Sequence, residues 1–276
     1  MALTEQQREE LAAALRRAET TGEPIEQPSA ASPGIAGSGP GSGLELDDAY
    51  RVQQLGIARR VARGERVVGR KVGLTSLAMQ RQLGVDSPDF GVVTDAMVLD
   101  VAGALPLREL ISPKLEPEFA FRIDRALPAS PTVDEVRDAI GAVALSIEII
   151  DSRVRDWRIG LVDTVADNAS SARIVVGAWR EASPELLRQL LETEIVMTRD
   201  GERVASGPGS AVLGDPVVAL HWLAEAVGRY GQAFAPGEVV LAGAVTGAVA
   251  VTTADIGSIW RAEAAGFAPV SLGIAA

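Results

Sequence analysis

The chain has 276 residues, 47% of them hydrophobic, which is enough to build one large domain or one domain with a small appendage. Its 37 acidic residues outnumber its 26 basic residues, and the net charge of −11 disfavours nucleic acid or an anionic membrane as the main partner. The sequence contains no cysteine, which excludes disulfide bonds, zinc–thiolate sites and thiol nucleophiles. Because it also contains a single histidine, metal or acid–base chemistry must rely mainly on carboxylates and lysines.

The amino-terminal segment predicts a helix followed by a flexible connector. Thr4 and Gln7 form a capping pair, leucines follow at helical spacing, and Gly22 and Pro24 predict the end of the helix. The stretch 28–43 is rich in glycine, serine and proline, a composition typical of flexible linkers. No segment resembles a signal peptide, and none approaches the roughly 20 apolar residues of a membrane span. We therefore expect a cytoplasmic protein.

A second helix is predicted over residues 47–64, and the remaining chain has the pattern of a mainly β body. Short β-rich runs recur between glycine, proline and acidic turns. The Asp200–Gly201 pair predicts a tight hairpin turn, and a well-capped helix is predicted over residues 216–231. The pattern predicts a small helical region over residues 1–64 and a larger, mainly β domain over residues 65–276.

Three glutamates give the strongest chemical signal. Glu116 and Glu118 lie two residues apart in a strand-like run, which points both carboxylates to one face. Such a pair is commonly the solvent side of a half-buried strand. Glu148, however, is the one charge in the apolar run ALSIEII, where an ionised carboxylate is costly to bury without a cation or a partner. If these strands adjoin, the three carboxylates suit Mg²⁺ or Mn²⁺.

Other polar residues allow both functional and structural interpretations. Lys71 lies among small and apolar residues, and near a metal pocket it could move protons, although a lysine at a strand end commonly reaches solvent. Ser76 and Thr246 also allow both a functional and a structural interpretation. Ser170 belongs to DTVADNASS, which is typical of turns but could donate hydrogen bonds to a substrate carboxylate. His221 lies within an amphipathic helix, which favours a packing role.

Several phrases together resemble the hydratase and decarboxylase branch of the fumarylacetoacetase superfamily, especially its 2-oxopent-4-enoate (2-hydroxypenta-2,4-dienoate) hydratases. The matching segments, in chain order, are GRKVGLTSLAMQRQLGVDSPDFG (69–91), PKLEPEFAF (113–121), IEIIDSR (147–153), DTVADNASS (163–171), GSAVLGDP (209–216) and LAGAVTGAV (241–249). They are spread over most of residues 45–250, which makes the resemblance specific.

The resemblance implies an α+β fold of the fumarylacetoacetase type, a mixed β roll with flanking helices, assembled as a homo-oligomer. It implies a divalent metal, Mg²⁺ or Mn²⁺, held by the matching Glu116, Glu118 and Glu148. Lys71 matches the acid–base residue of the family, and Ser170 matches a serine beside the substrate. Ser76 and Thr246 are further candidate substrate contacts.

Two kinds of enzyme in this branch, hydratases and decarboxylases, have similar sequences. The phrase SPDFG, with Asp89 as a candidate water-positioning residue, and the phrase DWRIGLVDTVADNAS resemble the hydratase, whereas the lysine in ISPKLEPE and the phrase SSARIVVG resemble the 4-oxalocrotonate (2-oxo-3-hexenedioate) decarboxylase. The hydratase is favoured. It would add water to 2-hydroxypenta-2,4-dienoate or a substituted analogue, giving a 4-hydroxy-2-oxo acid in the catabolism of aromatic compounds.

Further alternatives follow from the same resemblance. A non-catalytic partner of a pathway enzyme is a second alternative, because hydratases and decarboxylases of this branch are expected to associate. The substrate is expected to be a small anionic 2-oxo or 2-hydroxy acid. The chain departs from the family pattern at residues 252–273, where the usual proline-glycine-aspartate turn is absent from the sequence, and near residue 40. Both departures leave the substituent on the substrate open.

Overall fold

A computed structural model describes residues 2–30, 44–76, 80, 85, 87–128 and 130–276. The predicted connector is described only as far as Ala30, so the prediction for residues 31–43 lies outside the described residues.

Six α-helices occur in the described part of the chain. In order they are α1 (Glu5–Thr21), α2 (Leu46–Ala62), α3 (Val133–Ala139), α4 (Leu161–Ala166), α5 (Pro184–Gln189) and α6 (Pro216–Arg229). The predicted cap of α1 is present: the Gln7 amide donates to Thr4 Oγ1 while the Thr4 amide donates to Gln7 Oε1, and α1 ends at Gly22 in the left-handed conformation. The sequence pattern missed α3, α4 and α5, because a helix of six or seven residues has too few turns to show a 3.6-residue period.

The β body consists of two sheets. Their strands are β1 (Val67–Gly73), β2 (Asp89–Thr94), β3 (Val98–Leu99), β4 (Ala104–Pro106), β5 (Lys114–Ile123), β6 (Ile140–Ile150), β7 (Ser171–Val176), β8 (Arg180–Glu181), β9 (Glu194–Arg199), β10 (Glu202–Pro208), β11 (Val239–Ala244), β12 (Val249–Ala250), β13 (Ile259–Ala264) and β14 (Val270–Ala275). The larger sheet has the order β2-β1-β11-β5-β6-β7-β3, with β12 beside β5 and β8 beside β6, and the smaller has the order β10-β9-β13-β14-β4.

The long β5–β6 pair forms the centre of the larger sheet. It is antiparallel, and its register sets Glu116 opposite Glu148. The opposite face of β5 carries Phe119 and Phe121, which are fully buried in the main core. Burying a side chain of this size stabilises the fold by roughly 1.5–3 kcal/mol. The apolar face of β5 therefore holds the strand in place and fixes which way its glutamates point.

The two amino-terminal helices pack against the β body of the chain. The Tyr50 ring stacks on Phe90 of β2 with 4.4 Å between the ring centroids. Gln53 Nε2 donates to the backbone oxygens of Phe90 and Val165, at 2.9 Å and 3.0 Å. Apolar side chains of α1 and α2 belong to the same core cluster as the central strands. The division between residues 1–64 and 65–276 stays a prediction.

Helix α6 is a core helix. The stretch Gly209–Arg229 is long and apolar enough by composition to cross a membrane, but half of its apolar window is buried within the fold. Its first turn is capped by Asp215, as predicted. His221 Nε2 lies 2.9 Å from the backbone oxygen of Pro131, which ties α6 to the loop before α3. The histidine thus has a packing role, as its position in the helix predicted.

A buried ion pair braces the turn before β7. The Arg153 guanidinium contacts the Asp167 carboxylate, and both side chains are almost completely buried. Arg153 Nη1 also donates to the backbone oxygens of Asp151 and Ser171, at 2.6 Å and 3.2 Å. Because these bonds join three chain segments, the pair determines how β6, the turn and β7 meet.

Replacing Arg153 with methionine should destabilise the protein by about 3–5 kcal/mol, since the Asp167 carboxylate would stay buried without its partner. Urea unfolding followed by circular dichroism measures the change. The matched control is Arg203→Met, because Arg203 pairs with Glu194 at the protein surface. The control should leave the unfolding midpoint nearly unchanged. Equal midpoints for both variants would contradict the role of the buried pair.

Candidate active site

Three glutamates converge at the centre of the larger sheet. Glu116 and Glu118 extend from one face of β5, and the β5–β6 register brings Glu148 beside them. One carboxylate oxygen from each residue lies within 4.8 Å of those of the other two. Glu118 and Glu148 are completely buried, and Glu116 is partly exposed. Glu116 and Glu148 are 32 positions apart in the sequence, and their spacing alone did not show that they meet. The structure brings all three glutamates together.

The cluster fits a hard divalent cation. Glu118 Oε1 and both oxygens of Glu148 are buried without a hydrogen-bond partner. Burial and then the charge of Glu148 raise the pKa of Glu116 to about 7 and the pKa of Glu118 well above its usual value. Burial also raises the pKa of Glu148. Carboxylate oxygens are the ligands that Mg²⁺ and Mn²⁺ prefer, and the positive charge of such an ion would stabilise the ionised form of all three glutamates.

A β-bulge in β11 positions Glu118. The Gly243 amide donates to Glu118 Oε2 at 2.8 Å, at a point where the β11–β5 register shifts. Gly243 has a φ of 111°, and a Cβ at this position would lie 2.3 Å from Thr75 Oγ1. Only glycine both adopts this φ readily and leaves room for the Thr75 side chain. Within the predicted β run over residues 238–251, the register against β5 therefore shifts at this point of β11, and the shift delivers an amide to the carboxylate.

Lys71 lies at the edge of this cluster. It belongs to β1, which pairs with β11, and its Nζ is 3.5 Å from Glu148 Oε1. The side chain is almost completely buried, so the solvent-exposed alternative is wrong. Burial would lower the pKa of the Lys71 ammonium, but Glu148 and the neighbouring carboxylates outweigh burial and raise it. The lysine therefore keeps its proton beside three carboxylates.

Asp89 approaches Lys71 from the other side. The β1–β2 register places Asp89 opposite Gly73, where a Cβ would lie 2.2 Å from Asp89 Oδ1 and 3.2 Å from Lys71 Nζ. The missing side chain of Gly73 leaves room for both charged groups. Burial raises the pKa of Asp89, while Lys71 and the Thr164 hydroxyl oppose that rise. Neither Gly73 nor Thr164 was singled out from the sequence.

A pocket of about 190 Å³ opens onto these groups. Six of the eight sequence-predicted site residues line it, namely Lys71, Ser76, Asp89, Glu116, Ser170 and Thr246. Glu118 and Glu148 complete the cluster next to Glu116. The remaining wall is largely apolar and includes Val72, Leu74, Ile150, Ile159 and Ala169. The arrangement suits a small acid with a short hydrocarbon chain.

Ser170 reaches the pocket from an unusual turn. Three consecutive residues, Asn168, Ala169 and Ser170, have φ between 51° and 55°, a conformation that costs about 1–2 kcal/mol per residue. The Asn168 side chain braces the turn, accepting from the Val92 amide at 2.8 Å and donating to the Val92 oxygen at 2.9 Å. The Asp151 amide donates to the Ser170 oxygen at 2.8 Å. The sequence predicted a turn at these residues, but it did not predict three successive residues in the left-handed conformation.

Lys114 and Trp157 form another part of the pocket wall. Lys114 Nζ lies 4.0 Å from the centroid of the Trp157 ring, and Trp157 Nε1 donates to the Ser112 oxygen at 3.0 Å. Partial burial lowers the pKa of Lys114, and the nearby Glu116 opposes this change. The position of Lys114 two residues before Glu116 placed it on the same face of β5, so the sequence contained a signal for it.

Comparisons with known proteins identify the relatives of this chain. The family model described as fumarylacetoacetate (FAA) hydrolase C-terminal matches residues 79–273. A 2-keto-4-pentenoate hydratase of Paraburkholderia xenovorans (strain LB400) is 42% identical over 255 residues, which is 92% of this chain and 91% of that protein. A 2-hydroxyhexa-2,4-dienoate hydratase of Comamonas testosteroni is 39% identical over 215 residues, 77% of this chain and 81% of that protein.

A solved structure of a relative covers the entire fold. The 4-oxalocrotonate decarboxylase of Pseudomonas putida G7, complexed with magnesium and adipate, superposes with a TM-score of 0.89 and covers 99% of both chains at 32% identity. The predicted α+β roll with flanking helices is thus confirmed. Both the family model and the relatives cover most of the sequence, and this chain belongs to the fumarylacetoacetate hydrolase family.

Proposed function

We propose that this protein is a metal-dependent hydratase of aromatic catabolism, a lyase that adds water to 2-hydroxypenta-2,4-dienoate or a substituted analogue. The product is a 4-hydroxy-2-oxo acid. The observation that carries the proposal is the buried cluster of Glu116, Glu118 and Glu148 beside Lys71, in a chain 42% identical to a 2-keto-4-pentenoate hydratase over 92% of its length.

The cofactor is a divalent metal, Mg²⁺ or Mn²⁺, and Glu116, Glu118 and Glu148 would hold it. When bound, it supplies positive charge that stabilises the enolate form of a 2-oxo acid. Gly243 keeps Glu118 in place through its amide, and Glu148 is completely buried, whereas Glu116 is partly exposed toward the pocket.

Lys71 and Asp89 are the proposed catalytic residues. Lys71 holds a proton at Nζ in a buried position. It can deliver that proton to C5 of the dienoate while the 2-hydroxyl gives its own proton to the lysine amine and becomes a ketone, so the lysine ends the step protonated as it began. Asp89 lies across from Lys71 and can orient the water that adds at C4 of the resulting 2-oxo-3-enoate. One proton and one hydroxyl are added across the C3–C4 bond in this step, and the sum of the two steps is the addition of one water.

Ser76, Ser170 and Thr246 are the proposed substrate contacts. Their side chains line the pocket around the apolar wall, where they can fix the polar groups of a small acid. The hydrocarbon part of a five-carbon dienoate would contact Val72 and Ile150. This division between polar and apolar walls favours one orientation of the substrate.

A decarboxylase is the second candidate, and Lys114 is the observation in its favour. Its ammonium lines the same pocket as the glutamate cluster and could bind the additional carboxylate of 4-oxalocrotonate. The decarboxylase reaction releases CO₂, whereas the hydratase reaction does not. Measuring CO₂ evolution from the dicarboxylate therefore separates the two candidates.

Assembly and location are further parts of the proposal. Homologous hydratases support a soluble metabolic enzyme, and we expect it to be cytoplasmic and homo-oligomeric. Association with a pathway decarboxylase is also expected, because the two enzymes act on chemically related 2-oxo acids. Light scattering of the purified protein, alone and mixed with such a decarboxylase, tests both expectations.

Purified protein supplied with Mg²⁺ or Mn²⁺ should remove the ultraviolet absorbance of freshly generated 2-hydroxypenta-2,4-dienoate, and the product mass should increase by one water. A chelator should stop the reaction. Glu118→Gln should lower kcat by more than about a hundredfold while circular dichroism stays unchanged, because a neutral amide is a poor ligand for a hard cation. Full activity of the variant, or activity in chelator, would contradict the metal assignment.

Metal affinity should rise with pH. The raised pKa of Glu116, about 7, means that the metal must displace a proton below this value. Mn²⁺ should therefore bind at least about tenfold more weakly near pH 6 than near pH 8. Calorimetry in buffers of different ionisation enthalpy measures both the affinity and the proton release. A constant affinity without proton release would argue against ligation by Glu116.

Gly243→Ala should weaken Mn²⁺ binding by about 10–100-fold, because the added methyl group collides with Thr75 and displaces the amide that holds Glu118. Gly247→Ala is the matched control, since a Cβ at Gly247 meets no atom within 4 Å. Calorimetric titration compares the two variants. Equal affinities would show that the bulge does not position the ligand.

A further inference from the structure

Helix α2 places one amide side chain against two segments of the pocket wall. Gln53 is buried, with a relative exposure of 3%, and its Nε2 donates to the backbone oxygen of Phe90 at 2.9 Å and to that of Val165 at 3.0 Å. An amide nitrogen carries two protons, and these two bonds use both of them. Phe90 follows Asp89 in β2, and Val165 follows the pocket residue Thr164 in α4. Gln53 therefore joins two segments whose residues line the pocket.

The edge of the larger sheet explains why the Phe90 oxygen needs such a partner. In the described part of the chain β2 pairs only with β1, so its other edge faces no strand. Phe90 and Val92 are two residues apart and point their backbone groups to that same edge. Gln53 binds the Phe90 oxygen, and the Asn168 side chain binds both the amide and the oxygen of Val92. Two amide side chains thus take the place of a neighbouring strand along β2, which begins with Asp89.

The second bond of Gln53 reaches the last turn of α4. This helix ends at Ala166, and the left-handed turn that carries Ser170 follows directly. Backbone oxygens in the last turn of a helix lack the amide four residues ahead that the helix interior supplies. Gln53 provides a donor to one of them, the Val165 oxygen. The side chain thus holds the start of β2 and the start of the turn at a fixed distance from each other.

Contacts of α2 hold Gln53 in this position. Tyr50, one helical turn earlier, stacks on the Phe90 ring with 4.4 Å between the ring centroids. Asp48, in the first turn of α2, accepts a hydrogen bond from Arg8 Nε of α1 at 2.8 Å. Helix α2 is therefore fixed both to α1 and to β2, so the Gln53 amide is kept within reach of its two acceptors.

We propose that Gln53 is a positioning residue of the active site, which sets the spacing between Asp89 and the turn that carries Ser170. The inference rests on the proposed hydratase function, in which Asp89 orients the water and Ser170 contacts the substrate. Gln53 is not among the described residues that line the pocket, and it acts through the two segments that it joins. It also precedes residues 79–273, which the family model matches, so the amino-terminal helical region contributes to the site.

Gln53→Met removes both donors and keeps an unbranched side chain of similar length. It should lower kcat/KM for hydration of 2-hydroxypenta-2,4-dienoate by about 10–100-fold, because small displacements of orienting groups have effects of this size. Mn²⁺ affinity should stay unchanged, since the three glutamates lie on β5 and β6 whereas Gln53 binds β2 and α4. Combined with Asp89→Asn, Gln53→Met should lose less than the product of the two single losses, because the two residues act as a unit.

Hydrogen–deuterium exchange measures the positioning independently of activity. In Gln53→Met the backbone amides of β2 and of residues 167–170 should exchange faster, while those of β5 and β6 keep the wild-type rate. Gln53→Glu tests the same bonds if Gln53→Met does not fold. A protonated carboxyl group has one O–H donor and an ionised carboxylate has none, so the kcat/KM of Gln53→Glu relative to wild type should fall as the pH rises.

Two control variants should keep the wild-type kcat/KM. Gln54→Met is the matched substitution, because Gln54 is the next residue of α2 and is partly exposed. Leu105→Ala controls for a general loss of stability, because Leu105 is completely buried on β4 of the smaller sheet.

The inference is overturned if Gln53→Met keeps the wild-type kcat/KM, if its loss multiplies fully with that of Asp89→Asn, or if Leu105→Ala loses as much activity. Unchanged exchange in β2 and residues 167–170 would also overturn it. A wild-type protein that does not hydrate the dienoate would instead contradict the proposed function, and the exchange rates would still test the positioning.

Discussion

The burial of three carboxylates side by side is the main energetic constraint on this structure. Like charges in a region of low dielectric repel one another strongly, and each carboxylate also loses its hydration. Lys71 offsets one of the three negative charges of Glu116, Glu118 and Glu148. The raised pKa values of the glutamates are a consequence of this electrostatic cost.

Missing side chains are as important to this site as charged ones. Gly73 leaves the space in which Asp89 and Lys71 approach each other, and Gly243 lets a bulged backbone bring its amide to Glu118. Each position would place a Cβ less than 2.5 Å from a functional or supporting side chain. The backbones of β1 and β11 therefore approach the side chains of the site closely, and this approach is possible only because these two positions are glycines.

The opposite wall of the pocket depends on structure outside the central strands. The left-handed turn that carries Ser170 is braced by the Asn168 side chain and by the buried pair of Arg153 and Asp167. Helix α2 packs Tyr50 and Gln53 beside β2 and α4. The energy stored in the turn is thus offset by packing and hydrogen bonds contributed by distant parts of the chain.

The sequence by itself determined the family and its fold, the caps of α1 and α6, the hairpin at Asp200, and the common face of Glu116 and Glu118. These features depend on local chemistry or on phrases that a family shares. Only the tertiary structure decided that Glu148 lies opposite Glu116 and that Gly73 and Gly243 provide clearance. Strand register, bulges and left-handed turns arise from contacts between residues far apart in the chain, so no short window of sequence contains them.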